Sequence, residues 1–156
     1  MKRALLTATV LAASAFMARP CVAQDPLSQH KVRGLKNLHS IAIVLRSNTP
    51  KEIASPKEWS DFLAVGLHQM VPDLIIAPSA DSASDWMELN IVTTDAGAFL
   101  ELSVYRWVRL LATGDRVFTK VWWDQRVILG ATDRTLLHDP LDALLTSFAA
   151  DYLRAK

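Results

Sequence analysis

The chain has 156 residues, of which 51% are hydrophobic and 21% charged, and its formal net charge is +1. This length allows one compact domain. The composition is too apolar for an intrinsically disordered chain and too mixed for a multispanning membrane protein. The small net charge gives no reason to expect nucleic acid or another polyanion as a partner.

The first 23 residues have the features of a secretory signal peptide. Lys2-Arg3 forms a short basic region, an uncharged stretch follows over 4–18, and Cys21-Val22-Ala23 places small residues at positions −3 and −1 of a cleavage site. The apolar stretch of about 15 residues is shorter than the roughly 20 that a spanning helix needs. We therefore predict export to the periplasm with cleavage after Ala23 and no transmembrane span afterwards. An uncleaved N-terminal anchor is the alternative.

Cys21 is the only cysteine of the chain. The sequence Ala18-Arg19-Pro20 before it differs from the small, apolar residues of a bacterial lipoprotein signal, so we do not expect an outer-membrane lipid anchor at Cys21. Cleavage after Ala23 removes the thiol, which excludes disulfides, cysteine-ligated metals and thiol nucleophiles. It also takes Lys+Arg from 17 to 14 and leaves Asp+Glu at 16, so the mature chain carries −2.

The first elements follow from local signals. Residues 24–37 are polar and contain Pro26 and Gly34, so we expect a flexible segment before a single domain over 38–156. The β-branched run LHSIAIVLR over 38–46 predicts a buried strand. A second, short extended piece over 74–77 precedes Pro78, which confines it to a sheet edge.

A helix is predicted between these two strands. Ser55 is placed as an N-cap, Pro56 as the first helical residue and Glu58 as the third, the arrangement of a capping box. The apolar residues of the helix fall on one stripe, and Pro72 ends it. They are Trp59, Phe62, Leu63, Leu67 and Met70.

Residues 86–129 are predicted to form three antiparallel strands. The turns are Asp95-Ala96-Gly97 and Thr113-Gly114-Asp115, in which glycine supplies the positive φ of a tight hairpin. Taking 96–97 and 113–114 as two-residue loops gives one mostly apolar face, on which Arg106 and Gln125 are exceptions. We expect that face to form the core.

The last helix carries an apolar stripe from Leu141 to Leu153. Asp139-Pro140 is the predicted start, and Asp133 is an alternative start at least a turn earlier. The order β-α-β-β-β-α predicts an α+β fold. We expect a two-layer sandwich with a mainly antiparallel sheet of about four strands and two helices on one face.

This order behind an export signal resembles the small periplasmic βαβββα domains of envelope machinery, such as the LptE type and the N-terminal domain of the TolB type. The elements that carry the resemblance are IAIVLR, SPKEW, ELNIVTT, FLELSVYRWVRLL and DPLDALLTSF. It covers residues 38–155 as architecture and contains no diagnostic motif. The resemblance implies an assembly or adaptor role and transfers no site residues.

No catalytic constellation is visible in the sequence. The four histidines (His30, His39, His68 and His138) form no metal-binding pair, and no G-x-S-x-G, P-loop or G-x-G-x-x-G motif occurs. We therefore predict a protein that is not an enzyme and has no metal and no cofactor. A small hydrolase that combines His138 or His68 with a Ser and an Asp is the least favoured alternative.

The second face of the predicted sheet suggests a binding site. In the predicted register Trp86 faces Trp107, Tyr105 faces Trp122, and Trp107 faces Lys120, with Glu88 and Arg126 nearby. The candidate site is Trp86, Tyr105, Trp107, Lys120 and Trp122. Exposed aromatic clusters tend to be interaction surfaces.

Three interpretations of this face stay open. The favoured one is a non-catalytic interaction or envelope-assembly protein that binds a protein partner through the aromatic face or an open sheet edge. The second is a module that binds a glycan or a lipid head group through stacked rings. The third is that the rings only stabilise the sheet by cross-strand pairing.

Overall fold

The computed structural model describes residues 26–48, 55–79, 84–130 and 134–156, and the statements below concern those ranges. The predicted signal peptide, its cleavage site and Cys21 lie outside the described residues.

The described residues form one mixed sheet and three helices. The sheet order is β2-β1-β3-β4-β5; β1 is parallel to β2 and β3, and the pairs β3–β4 and β4–β5 are antiparallel. The α+β prediction is confirmed, with one more strand and one more helix than expected. The elements are α1 (Pro26–Gly34), β1 (Ser40–Ser47), α2 (Pro56–Met70), β2 (Ile75–Ala77), β3 (Trp86–Thr94), β4 (Gly97–Arg109), β5 (Arg116–Leu129) and α3 (Arg134–Ala155).

Helix α2 begins as its sequence predicts. The Ser55 hydroxyl accepts a hydrogen bond from the Glu58 N–H, and the Glu58 carboxylate accepts one from the Ser55 N–H at 3.0 Å. This capping box satisfies two backbone donors that the first turn of a helix leaves open. The helix ends at Met70, before Pro72, and buries Trp59, Leu63 and Leu67.

Helix α1 lies in the segment that we expected to be flexible. Arg106 of β4 donates hydrogen bonds to the carbonyls of Gly34 (3.0 Å) and Lys36 (2.8 Å), and it pairs with Asp85 at 3.0 Å. These bonds satisfy carbonyls at and just beyond the C-terminal end of α1, while Leu35 is buried in the core. The bonds also explain why a charged residue lies on the core face. Because Arg106 is about 70 positions away, the local sequence gives no sign of this helix.

The core lies between the inner face of the sheet and the helices. The inner face presents side chains that are completely buried, and α3 packs its apolar stripe against them. The sheet residues are Met87, Leu89, Ile91, Leu100, Leu102 and Val104, and the helix residues are Leu141, Leu144, Leu145, Phe148 and Tyr152. Helix α3 begins at Arg134 and contains Pro140, so the prediction that Asp139-Pro140 starts the helix is wrong. The alternative start at Asp133 is closer to the observed one.

The first hairpin differs from the predicted register by two residues. Thr94 pairs with Gly97, so Asp95-Ala96 forms the turn, and Trp86 faces Tyr105 instead of Trp107. Gly97 has φ +149°, and a Cβ there would lie 1.9 Å from the Ile128 carbonyl oxygen. A shift of two leaves each side chain on its predicted face, because the side-chain period of a strand is two.

The second hairpin contains a β-bulge that changes which residues belong to the candidate site. Val104 pairs with Trp122 and Tyr105 pairs with Lys120, which leaves Val121 as an extra residue on β5. The bulge reverses the alternation, so Trp122 lies on the core face. It is completely buried, its indole N–H donates to Asp151 at 3.0 Å, and its ring packs on Phe148. The prediction that Trp122 belongs to the exposed aromatic face is therefore wrong.

Candidate functional site

Five side chains form what we call the outer aromatic face: Trp86, Tyr105, Trp107, Phe118 and Lys120. Phe118 is at the centre of the rings. Its centroid lies 4.7 Å from that of Trp86, 5.3 Å from that of Trp107 and 5.9 Å from that of Tyr105. The structure thus brings together four of the five predicted residues.

Phe118 was missed by the sequence analysis although the sequence contains a signal for it. Residues 118 and 120 are two apart on one strand, so the alternation that turns Lys120 outward also turns Phe118 outward. Tyr105 faces Lys120, and Trp107 faces Phe118. These pairs replace the predicted pairing of Trp107 with Lys120.

A polar group borders the rings on the same face. Lys120 pairs with Glu101, and the Ser103 hydroxyl donates to the same Glu101 oxygen at 2.8 Å. The Lys120 ammonium lies 5.7 Å from the centroid of Tyr105, within the range of a cation–π contact. Glu88 forms a separate ion pair with Arg46 at 2.9 Å on this face. Arg126, which the predicted register placed nearby, lies beyond the bulge on the same side of the sheet as Trp122, where it pairs with Asp124.

Both partners of the Lys120–Glu101 pair have shifted pKa values. Partial burial alone would raise the pKa of Glu101, but the hydrogen bonds from Lys120 and Ser103 lower it overall. Burial alone would lower the pKa of Lys120, and the bond to Glu101 raises it above its ordinary value. Each group therefore favours the charged form of the other.

The rings of this face differ in their access to solvent. Trp107 is 49% exposed, whereas Trp86 is partly buried, and its buried indole N–H has no hydrogen-bond partner within the described ranges. Trp86 packs edge-on against Phe118 and Tyr105. Cross-strand pairing accounts for these inner rings. Trp107 is the ring of the cluster that offers a substantial free surface.

A ribbon of two strands extends this surface. The pairing of β3 with β4 begins at Trp86–Tyr105, whereas β4 and β5 continue to pair up to Arg109–Arg116. We call residues 106–119 the projecting ribbon. Leu111 at its turn is fully exposed, Leu110 is 42% exposed, and the guanidinium of Arg116 lies 5.7 Å from the Trp107 ring.

The described residues show no arrangement for metal chemistry. Among them, no group of three or more His, Cys, Asp or Glu side chains is placed to hold a metal ion. His138 packs against Trp59 and Phe62, with centroids 5.3 and 5.1 Å away, while His30, His39 and His68 are exposed. No helix in the described part of the chain has the length and apolarity required to cross a membrane.

Comparison with known proteins does not identify a family. No protein-family profile matches the chain, and no curated protein matches it. The PelC dodecamer from Paraburkholderia phytofirmans is 16% identical with a TM-score of 0.34, over 75% of this chain and 87% of that chain. A variant of that PelC dodecamer is also 16% identical, with a TM-score of 0.32 over 79% and 86%. Neither likeness supports an argument about fold or function.

Proposed function

We propose that this chain is an exported, non-catalytic interaction protein that binds a protein partner through the exposed part of the outer aromatic face and the projecting ribbon. The observation that carries the proposal is the exposure of Trp107, Leu110 and Leu111 on a ribbon that extends beyond β3. An envelope-assembly accessory role, of the kind that the LptE-type and TolB-type resemblance implies, is part of the same proposal.

The energetic argument rests on the apolar surface that the ribbon leaves in water. Burying an exposed leucine against a partner contributes about 1.5–3 kcal/mol, so Leu111 and half-exposed Trp107 together provide the core of an interface. Trp and Arg are enriched among residues that dominate binding energy, and Arg116 lies beside the Trp107 ring.

The test is affinity capture of the tagged protein from an envelope extract. We expect the Trp107→Ala and Leu111→Asp variants to lose a protein that the wild type retains in a fixed stoichiometry. Leu153→Asp is the matched control, because Leu153 is 56% exposed but lies on α3. Equal recovery with Leu111→Asp and Leu153→Asp would refute the ribbon as the binding surface.

A second candidate function is binding of an anionic lipid head group. Arg109 and Arg116 flank the exposed leucines of the ribbon tip, and Asp115 is the one acid between them. Apolar side chains next to cations are typical of segments that lie at a membrane interface. Cosedimentation with phosphatidylglycerol vesicles, but not with phosphatidylcholine vesicles, would favour this function. No cosedimentation with either would exclude it.

A further inference from the structure

A groove lies between α2 and α3, in the helical layer of the molecule. The two helices approach closely at Gly66, where a Cβ would be 2.7 Å from the Leu145 Cδ1 atom. Beside this contact a cavity of about 430 Å³ opens, lined by residues of both helices. That volume is within the roughly 300–1,000 Å³ of small-molecule sites.

The floor of the groove is apolar and elongated. Trp59, Phe62 and Met70 line it, and Val65 contributes a side chain that is 57% exposed. Trp59 and Met70 are eleven residues apart, which at about 1.5 Å per helical residue corresponds to about 16 Å along α2. An alkyl chain of about twelve carbons has a similar length.

The polar side chains of the groove are mainly acidic. Glu58 and Asp61 of α2 and Asp142 of α3 line it, whereas no Lys or Arg is among the lining residues in the part of the chain that the structure describes. Lys57 pairs with Asp61 at 2.6 Å, but the side chains of both residues are mostly exposed. A ligand with a positive charge at one end is therefore complementary to this groove, and an anionic ligand is not.

Trp59 provides a second observation at the same place. This residue is only 3% exposed, and its buried indole N–H has no hydrogen-bond partner among the described residues. A buried donor of this kind is uncommon in native proteins and calls for an explanation.

We propose that the groove between α2 and α3 binds an amphiphilic cation, an apolar chain that carries an ammonium head group. The chain lies along Trp59, Phe62 and Met70, and the head group lies near the carboxylates of Asp61 and Asp142. This site is separate from the outer aromatic face and does not rest on the function proposed above.

The probe is dodecyltrimethylammonium below its critical micelle concentration, titrated into the protein by calorimetry and by amide NMR. We expect one saturable site per chain and a shift of the Gly66 amide signal, because Gly66 lines the groove. The Gly114 amide is the internal control, because it lies at the turn of the projecting ribbon. Saturable shifts at Gly114 without shifts at Gly66 would overturn the proposal.

Matched variants test the charge requirement. We expect Asp61→Asn/Asp142→Asn to weaken binding about three- to tenfold, since exposed ion pairs contribute modestly, whereas Asp95→Asn/Asp115→Asn at the hairpin turns leaves binding unchanged. Dodecyl sulfate and dodecyl maltoside should both bind more weakly than the cation. Equal affinity for either, or tighter binding of a lysine-rich amphipathic peptide, would refute a site for a small amphiphilic cation.

Discussion

The two tryptophans that the sequence places on one face should respond very differently to truncation. Trp122 is completely buried against Phe148, whereas Trp107 is half exposed and contacts Phe118. A buried aromatic side chain removes about 150–250 Å² from water, and Trp→Ala in a core costs about 3–5 kcal/mol. Removing the contacts of the half-exposed ring should cost about 1–2 kcal/mol, because less apolar surface is lost.

Urea unfolding followed by far-UV circular dichroism measures this difference. With a slope of about 1–3 kcal/mol per molar urea, a gap of about 3 kcal/mol separates the midpoints of Trp122→Ala and Trp107→Ala by about 1–3 M. Circular dichroism is chosen because each variant changes the tryptophan fluorescence. If Trp107→Ala lowers the midpoint as much as Trp122→Ala, the bulge at Val121 and the face assignment that depends on it are refuted.

Three further predictions concern the backbone, the α1 contact and pH. Gly97→Ala should destabilise the fold by more than about 2 kcal/mol, because the new Cβ would collide with the Ile128 carbonyl. Gly114→Ala should cost only about 1 kcal/mol, because its φ of +78° is the one obstacle there. Similar urea midpoints for the two variants would contradict this. Arg106→Met should lower the free energy of unfolding by about 1.5–3 kcal/mol. It should also increase hydrogen exchange first at the Leu35 and Leu38 amides, which lie just after α1. Unchanged exchange at these amides would show that Arg106 does not hold α1 in place. Because the pKa of Glu101 is lowered in the folded state, its pair with Lys120 should stabilise fully above about pH 4.5 and lose that stability as pH falls. The raised pKa of Lys120 extends this stability up to about pH 10.5, above which it is lost. In Glu101→Gln both of these losses of stability should disappear from urea midpoints measured between pH 3 and 11. If the variant still loses as much stability at low pH as the wild type, the Glu101–Lys120 pair is not its cause.

Local signals predicted the elements whose causes are local. The capping box at Ser55 and the edge position of the strand before Pro78 are both present, because each depends on residues within a few positions. The predicted register of the first hairpin was wrong by two residues, because Asp95-Ala96 and Ala96-Gly97 are both plausible two-residue turns. That error left every side chain on the face of the sheet that the sequence predicts.

The features that were missed depend on distant contacts. The extra residue at Val121 reverses the alternation on β5, and Gly34 of α1 approaches the Val121 carbonyl so closely that a Cβ would lie 2.6 Å from it. The C-terminal end of helix α1 is bonded to Arg106 of β4, about 70 positions away. Neither contact leaves a period or a motif in the sequence. The groove between α2 and α3 was also missed, because it is formed by side chains of two helices that are far apart in the sequence.

The bulge at Val121 has a consequence for self-assembly. Strand β5 is an edge of the sheet, and Val127 and Leu129 on it are exposed, so a straight β5 of fourteen residues would be a template for pairing with another chain. The extra residue bends the strand and divides the edge into two shorter lengths, over 116–120 and 122–129. An edge interrupted in this way pairs poorly with a regular strand. The irregularity that places Trp122 in the core therefore also protects the molecule against edge-to-edge aggregation.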